Sequence, residues 1–234
     1  PEQTLQQLRA WAQDTHYHVR RWVSEGTRPR LPWGKAVHLS WEQCFPLLDA
    51  LHTDPTRFVQ RSVANHLNDW SKTHPDQVLH CLQNWKKHPQ TSALDYIIRH
   101  SLRTLVKQGD FRALQLLGFD THAYEIQGFS FSERVALGDA LSFSFQLISQ
   151  ADTPQRFAVD YILFYRNKKG ALTPKVYKIK QCTLAPGASL MIHKKQLLKP
   201  RSTRKLYPGD HGLALQINGR QTDVFTFELY DNFN

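Results

Sequence analysis

Apolar residues in the first half of the chain recur every three to four positions. Val59, Val63, Leu67 and Trp70 form one such stripe, and Ile98, Leu102 and Leu105 form another. That period gathers apolar side chains on one face of an α-helix and leaves the other faces polar. Helix punctuation falls between the stripes. Asp54-Pro55 predicts an N-cap followed by Pro at the first helical position; His74-Pro75-Asp76 ends one helix and starts the next; Lys107-Gln108-Gly109-Asp110 closes a third. The pattern predicts helices of about 10 to 20 residues joined by short turns, continuing to residue 119.

After Gly118 the period drops to two. Leu141, Phe143, Phe145 and Leu147 alternate with Ala140, Ser142, Ser144 and Gln146, and Phe157, Val159, Tyr161, Leu163 and Tyr165 repeat the pattern. In LALQINGRQTDVFTFELY, Asn218-Gly219 supplies the two positive-φ positions of a type I′ hairpin turn. About seven short strands with no helix between them predict an antiparallel sandwich of immunoglobulin-like type. All six tryptophans fall in the helical half, so the tryptophan usually buried in such a sandwich is missing and the strand topology stays open.

The helical half also repeats. HVRRWV at 18–23, FVQRSV at 58–63 and YIIRHSL at 96–102 share an aromatic or aliphatic lead and place Arg21, Arg61 and Arg99 at intervals of 40 and 38. This period suits HEAT-like helix pairs, an α-solenoid whose units bury their apolar faces by stacking. The expected fold class is therefore HEAT-like α-helical repeats over 1–119 followed by an antiparallel immunoglobulin-like β-sandwich over 124–234. Polar residues follow each arginine on the same helical face: Glu25 after Arg21, then Asn65, Asn68 and Asp69 after Arg61, then Arg103 and Lys107 after Arg99. One such stripe is ordinarily a solvated face. Three in register predict a basic concave surface that follows a phosphate backbone.

The charge balance points the same way, because 30 Lys and Arg against 20 Asp and Glu leave a net +10. Such an excess favours a polyanion, either nucleic acid or a membrane surface. No apolar run reaches the length of a spanning helix, and no secretory leader opens the chain. PEQTLQQLRAW has no initiator Met and reads as the inside of a helix, so a longer parent polypeptide is expected. Cys44, Cys81 and Cys182 are far apart with no CxxC, which predicts buried thiols in a reduced, intracellular protein.

The densest chemistry lies in RRWVSEGTRPRLPWG at 20–34, where one carboxylate, Glu25, sits among four arginines and two tryptophans. Arg28 and Arg30 are expected to meet phosphate. Trp33, in a Pro-bracketed loop, is expected to stack on a sugar or base, and Trp22 to sit in the core. His16 and His18 lack the neighbours a metal site needs, and no phosphate-binding Walker loop, GxSxG or dinucleotide fingerprint is present. A second cationic region lies between Asp160 and Asp210, which holds twelve Lys and Arg and no acid. A solvated β surface would mix signs, so Lys168, Lys169, Lys199, Arg201 and Arg204 are expected to touch a nucleic-acid backbone.

RFVQRSVANHLNDWSKTHPDQVL, DYIIRHSLRTLVKQGDFRALQLLGF and SEGTRPRLPW resemble the DNA alkylation repair glycosylases built of HEAT-like repeats. The likeness is greatest to the AlkC branch, whose members carry an immunoglobulin-like domain after the repeats. It covers residues 1–120. The sandwich segment is the weaker match. The resemblance implies hydrolysis of the N-glycosidic bond of cationic N-alkylated bases, of the 3-methyladenine, 3-methylcytosine and 1-methyladenine class, in duplex DNA. It implies no metal or organic cofactor, and recognition from the backbone without full base flipping. A cationic base is already a good leaving group. The remaining work is to stabilise positive charge on the deoxyribose and place a water, which a carboxylate and aromatic faces can do.

By position, Glu25 matches the acid of the family's motif and Arg21 the arginine that contacts DNA near the lesion. Asp69 is the second acid assigned to catalysis, and Arg28, Arg30, Trp33, Arg61, Asn65, Asn68, Arg99 and Arg103 complete the DNA contacts expected in this half. Asn65 and Asn68 stand where the related AlkD branch carries a tryptophan and an arginine, so no stacking role passes to them. Further repeats, with another acid, are expected upstream of Pro1. The implied partner is double-stranded DNA with alkylated bases, with no membrane contact, bound by a monomer at the nucleoid in the bacterial cytoplasm. The rival readings are a non-catalytic HEAT-repeat scaffold that binds nucleic acid, and a protein–protein adaptor using the sandwich.

Overall fold

A computed structural model describes residues 2–31, 33–89, 91–119, 122–200 and 205–231. The chain divides into two compact units, Pro1–Lys107 and Gln108–Asn234.

The first unit holds α1 (Glu2–Trp11), α2 (Tyr17–Gly26), α3 (Trp41–Asp49), α4 (Arg57–Trp70), α5 (Pro75–Trp85), α6 (Ser92–Ser101) and α7 (Arg103–Gln108). Local chemistry sets several of the starts. Ser40 and Gln43 form a reciprocal capping box on α3, Thr91 accepts from Leu94 N on α6, and Pro75 opens α5 behind His74. The start expected at Asp54-Pro55 lies further on, because α4 begins at Arg57 with Thr56 at the cap position. Asp54 instead accepts from Thr56 N at 2.8 Å and from Arg20 Nε at 2.6 Å, so its carboxylate fixes the turn that leads into the helix. Central α4 packs against α2 on one side and α6 on the other, so the helices carrying Arg21, Arg61 and Arg99 are neighbours in that order. Val59, Val63, Ala64 and Leu67 of α4 are fully buried, each larger side chain contributing about 1.5–3 kcal/mol.

The second unit begins with α8 (Phe111–Leu116) and continues as β1 (Tyr124–Phe131), β2 (Arg134–Ala136), β3 (Ala140–Ser149), β4 (Gln155–Arg166), β5 (Leu172–Leu184), β6 (Ser189–Leu197), β7 (Gly209–Ile217), β8 (Arg220–Gln221) and β9 (Phe225–Tyr230). The period changes near residue 119, but α8 belongs with the strands: Arg156 Nη1 donates to Leu117 O at 2.7 Å and its guanidinium lies over the Phe119 ring. One sheet runs β1-β3-β6 and the other β2-β9-β7-β4-β5, with β8 on β7. The β2–β9 pair is parallel, which corrects the expectation of wholly antiparallel pairing. Parallel neighbours need a long connection, and nearly the whole unit lies between these two strands. β2 and β8 have only 3 and 2 residues, too few to show a period in the sequence.

Leu141, Phe143, Phe145 and Leu147 of β3 share one apolar cluster with Phe157, Val159, Tyr161 and Leu163 of β4 and with Phe227 of β9. The inward faces of both sheets therefore close on the same core, filled by Phe and Tyr where a tryptophan was missing. The predicted turn forms as expected, with Asn218 at φ 46° and Gly219 at φ 80°. Asn218 Oδ1 accepts from Ala158 N and its Nδ2 donates to Arg156 O, tying the turn to β4. A Cβ on Gly219 would lie 2.5 Å from the carbonyl oxygen of Gly109, so backbone meets backbone there and no side chain fits.

Candidate nucleic-acid and catalytic site

The second half of α2 and the loop behind it present Arg21, Glu25 and Arg28 to α4. Glu25 stands near a helix C-terminus, where the macrodipole disfavours a negative charge, so it needs cationic or donor partners. It has three. Arg28 Nη1 donates to Oε1 at 2.7 Å, Ser62 Oγ donates to Oε2 at 2.7 Å, and Arg21 Nη2 lies 3.2 Å from Oε2. Burial pushes the Glu25 carboxyl pKa up, but the bonds from Ser62 and Arg28 and the charges of Arg28 and Arg21 outweigh it, and the net shift is downward. Glu25 is held as an anion.

Arg28 joins the two acids expected to be catalytic. Its Nε and Nη2 both donate to Asp69 Oδ2, at 2.9 and 2.7 Å, while Nη1 serves Glu25. Asp69 Oδ1 accepts in turn from Lys72 at 2.9 Å. Arg28 is only 9% exposed. It corrects the expectation of a phosphate contact, because a guanidinium between two carboxylates has spent its charge inside the protein. Arg21 donates to Phe58 O at 2.8 Å and lies 3.7 Å above the Phe58 ring, so it too is held on α4.

Asn68 is a second correction. It is 2% exposed, and its Oδ1 accepts from the backbone N and hydroxyl of Thr104, so it joins α4 to α7 rather than facing a ligand. Asn65, half-buried, takes a bond from His100 Nε2 at 3.1 Å, and Arg103 donates to His100 O at 2.7 Å. Arg30, Arg61 and Arg99 are exposed and stand apart from the Glu25 cluster's hydrogen bonds. Trp33 is 80% exposed. Trp22, expected in the core, is 58% exposed and lies against Gly26 on its own helix. Lys168 and Lys169 occupy the exposed tip of the β4–β5 hairpin, where Asn167 bonds Ala171 and Gly170 takes φ 85°; Lys199 is also exposed. Arg201 and Arg204 lie outside the described residues. Cys44 and Cys81 are buried thiols, and burial pushes Cys44 up to about 12.

Ser24, Ser62 and His66 are each fully buried against this cluster, and helical periodicity by itself does not single them out. The signal was present in the sequence. Ser62 and His66 interrupt the apolar stripe of Val59, Val63, Leu67 and Trp70, and polar residues at core positions need a reason. His66 Nδ1 lies 3.0 Å from Ser24 O, and since a carbonyl only accepts, Nδ1 carries the proton. Burial pushes the His66 pKa down to about 4, so the ring is neutral at pH 7.

The Glu25 cluster lies within a segment that matches a known family. Residues 2–101 match the DNA alkylation repair enzyme family and residues 125–231 the C-terminal Ig-like domain of uncharacterised protein YhaZ. Its sequence is similar to the uncharacterized protein YhaZ of Bacillus subtilis (strain 168), 37% identical over 235 residues, across 97% of this chain and 64% of that protein. Its structure is similar to that of the Pseudomonas fluorescens alkylpurine DNA glycosylase AlkC, solved bound to DNA containing an abasic site analog. The identity is 39% and the TM-score 0.90, over 98% of this chain and 65% of that one. The chain thus spans a little under two thirds of the length of each relative.

Among the described residues no helix is long and apolar enough to cross a membrane.

Proposed function

We propose that this chain is the greater part of a DNA glycosylase that hydrolyses the N-glycosidic bond of cationic alkylated bases in duplex DNA. In this reading α1 to α7 are HEAT-like repeats of an α-solenoid, the two sheets are an immunoglobulin-like sandwich, and the protein works as a monomer at the bacterial nucleoid. Its substrates are bases of the 3-methyladenine, 3-methylcytosine and 1-methyladenine class. The observation that carries the proposal is Glu25, a carboxylate held ionised by Arg28, Ser62 and Arg21 within a strongly basic chain. As the cationic base departs, positive charge grows on the deoxyribose, and a fixed anion stabilises that charge without having to reorganise. The exposed indole of Trp33 offers an aromatic face to the same cation. Arg30, Arg61, Arg99 and the Lys168-Lys169 tip supply backbone contacts, and the AlkC relative's DNA complex supports DNA as partner.

One observation favours a non-catalytic scaffold. Both Glu25 oxygens already have partners within the protein, as in a purely structural ion pair. Base release from methylated duplex DNA separates the two readings. Glu25→Gln is expected to slow release by about 100- to 1,000-fold and leave the Kd for DNA within about threefold. Equal release by both forms, or none from either this chain or one extended upstream of Pro1, refutes the enzyme.

A further inference from the structure

We infer that a polar stripe on α4, buried Ser62 and His66 with part-buried Asp69, is a clamp that positions the Glu25 carboxylate. The inference rests on the glycosylase reading for its chemical meaning and on geometry for its existence. The three residues stand at i, i+4 and i+7, one helical face, and each takes hold of a different part of the same unit. Ser62 Oγ donates to Glu25 Oε2 at 2.7 Å, fixing one end of the carboxylate. Asp69 receives two bonds from Arg28, whose remaining nitrogen donates to Glu25 Oε1, so the other end is fixed through Arg28. His66 donates to the carbonyl of Ser24, the residue before Glu25, and so ties down the backbone.

Side chain and main chain are thus both held from one neighbouring helix. That is more than stability asks. Ser62 and His66 are fully buried, and an apolar pair at their positions would pack α2 against α4 without the desolvation cost. A carboxylate that must act as a fixed charge gains from such support, since a loose one lets the charge relax away from the reacting centre. Asp69 is accordingly a positioning residue. Its Oδ2 is occupied by Arg28 and its Oδ1 by Lys72.

Among the described residues, the charged and titratable groups around Glu25 are Arg21 and Arg28 on its own side and His66 and Asp69 on α4, with Lys72 and Arg103 beside Asp69. Two measurements on the full chain test the clamp. The first is the titration of the Glu25 side-chain carboxyl carbon by NMR in wild type, Ser62→Ala and Asp69→Asn, which needs no activity. Loss of the Ser62 bond, or of the partner that aims Arg28, should move the Glu25 midpoint upward by about one pH unit. The second is single-turnover base release, where each variant should be slower by about tenfold with unchanged Kd for DNA, and Ser62→Thr should recover part of the Ser62→Ala loss. Thermal melting checks that each variant is folded, and Asp69, partly exposed, provides the variant that disturbs the helix pair least.

Unchanged Glu25 midpoints in both variants overturn the clamp. So does unchanged release in both variants when wild type is active and Glu25→Gln is not. If wild type releases no base, the glycosylase reading fails by itself and the NMR midpoints alone decide the clamp.

Discussion

The two units differ in how much polar chemistry they bury. The strand unit closes on Leu141, Phe143, Phe145, Tyr161 and Phe227 with few polar groups inside, while the helical unit buries Ser24, Arg28, Gln60, Ser62, His66 and Asn68 beside its apolar core. An apolar core is non-directional, so its worth depends on volume and contact. A buried polar interface is directional. Arg28 and Ser62 have their acceptors in place, and a small shift leaves a desolvated group unpaired. The strand unit is thereby built to be stable, and the α2–α4 interface to hold one geometry.

The largest effect expected from this contrast lies in the strand unit. Phe145→Ala removes a fully buried ring from the shared core of both sheets and should cost about 3–5 kcal/mol in urea unfolding. A loss below about 1 kcal/mol would mean that the two sheets do not share a tight core.

Next in size is a pH effect confined to the helical interface. The His66 pKa falls from 6.5 to about 4 on folding. Between these values the unfolded chain binds the proton and the folded one does not, so stability drops as pH falls from about 6.5 towards 4, by roughly 3 kcal/mol in total. Glu25, with its pKa depressed, contributes stability above the ordinary carboxylate range and loses it only as pH falls through its lower folded value. Urea midpoints measured at pH 7.5 and 4.5 should differ for wild type and much less for His66→Gln, which keeps a donor for Ser24 O. Equal dependence in both would place the proton elsewhere.

The periods of 3.6 and 2 made the helices, the long strands and the Asn218-Gly219 turn legible, because each depends on local spacing. The pairing of β2 with β9 was not legible, since neither length nor period marks a three-residue strand. Glu25 and Arg21 stand out in the sequence because a single carboxylate lies among arginines. The inward turn of Arg28 and Asn68 was missed for one reason: helical spacing tells which residues share a face but not which neighbour that face meets. α4 has two polar faces, with Ser62, His66 and Asp69 towards α2 and Asn65 and Asn68 towards α6 and α7. Spacing from Arg61 alone groups Asn65, Asn68 and Asp69 on one face.

Asn68 tests that second face. Asn68→Ala leaves the Thr104 backbone N–H and hydroxyl without their acceptor and should cost about 1–3 kcal/mol. Asn65→Ala removes one half-buried bond to His100 and should cost about 1 kcal/mol or less. The two values in urea unfolding should keep that order; the reverse would return Asn68 to the surface.

The smallest effect on stability belongs to the cations of the strand unit, which have the opposite role to Arg28. Lys168 and Lys169 stand exposed on a hairpin tip, and no hydrogen bond or ion pair of their side chains appears among the described residues. Arg28, by contrast, is neutralised from within. Replacing both lysines by alanine should therefore change unfolding free energy by no more than about 0.5 kcal/mol. Its effect should appear in binding. Each phosphate contact adds about 0.9 to the slope of log K against log salt for duplex DNA, so the double variant should lower that slope by about 2 and weaken binding most at low salt. Arg28→Ala should do the reverse, costing stability while leaving the salt slope nearly as it was, because its charge is already compensated by Glu25 and Asp69. A salt slope that falls with Arg28→Ala and not with the lysine pair would exchange the roles of the two regions.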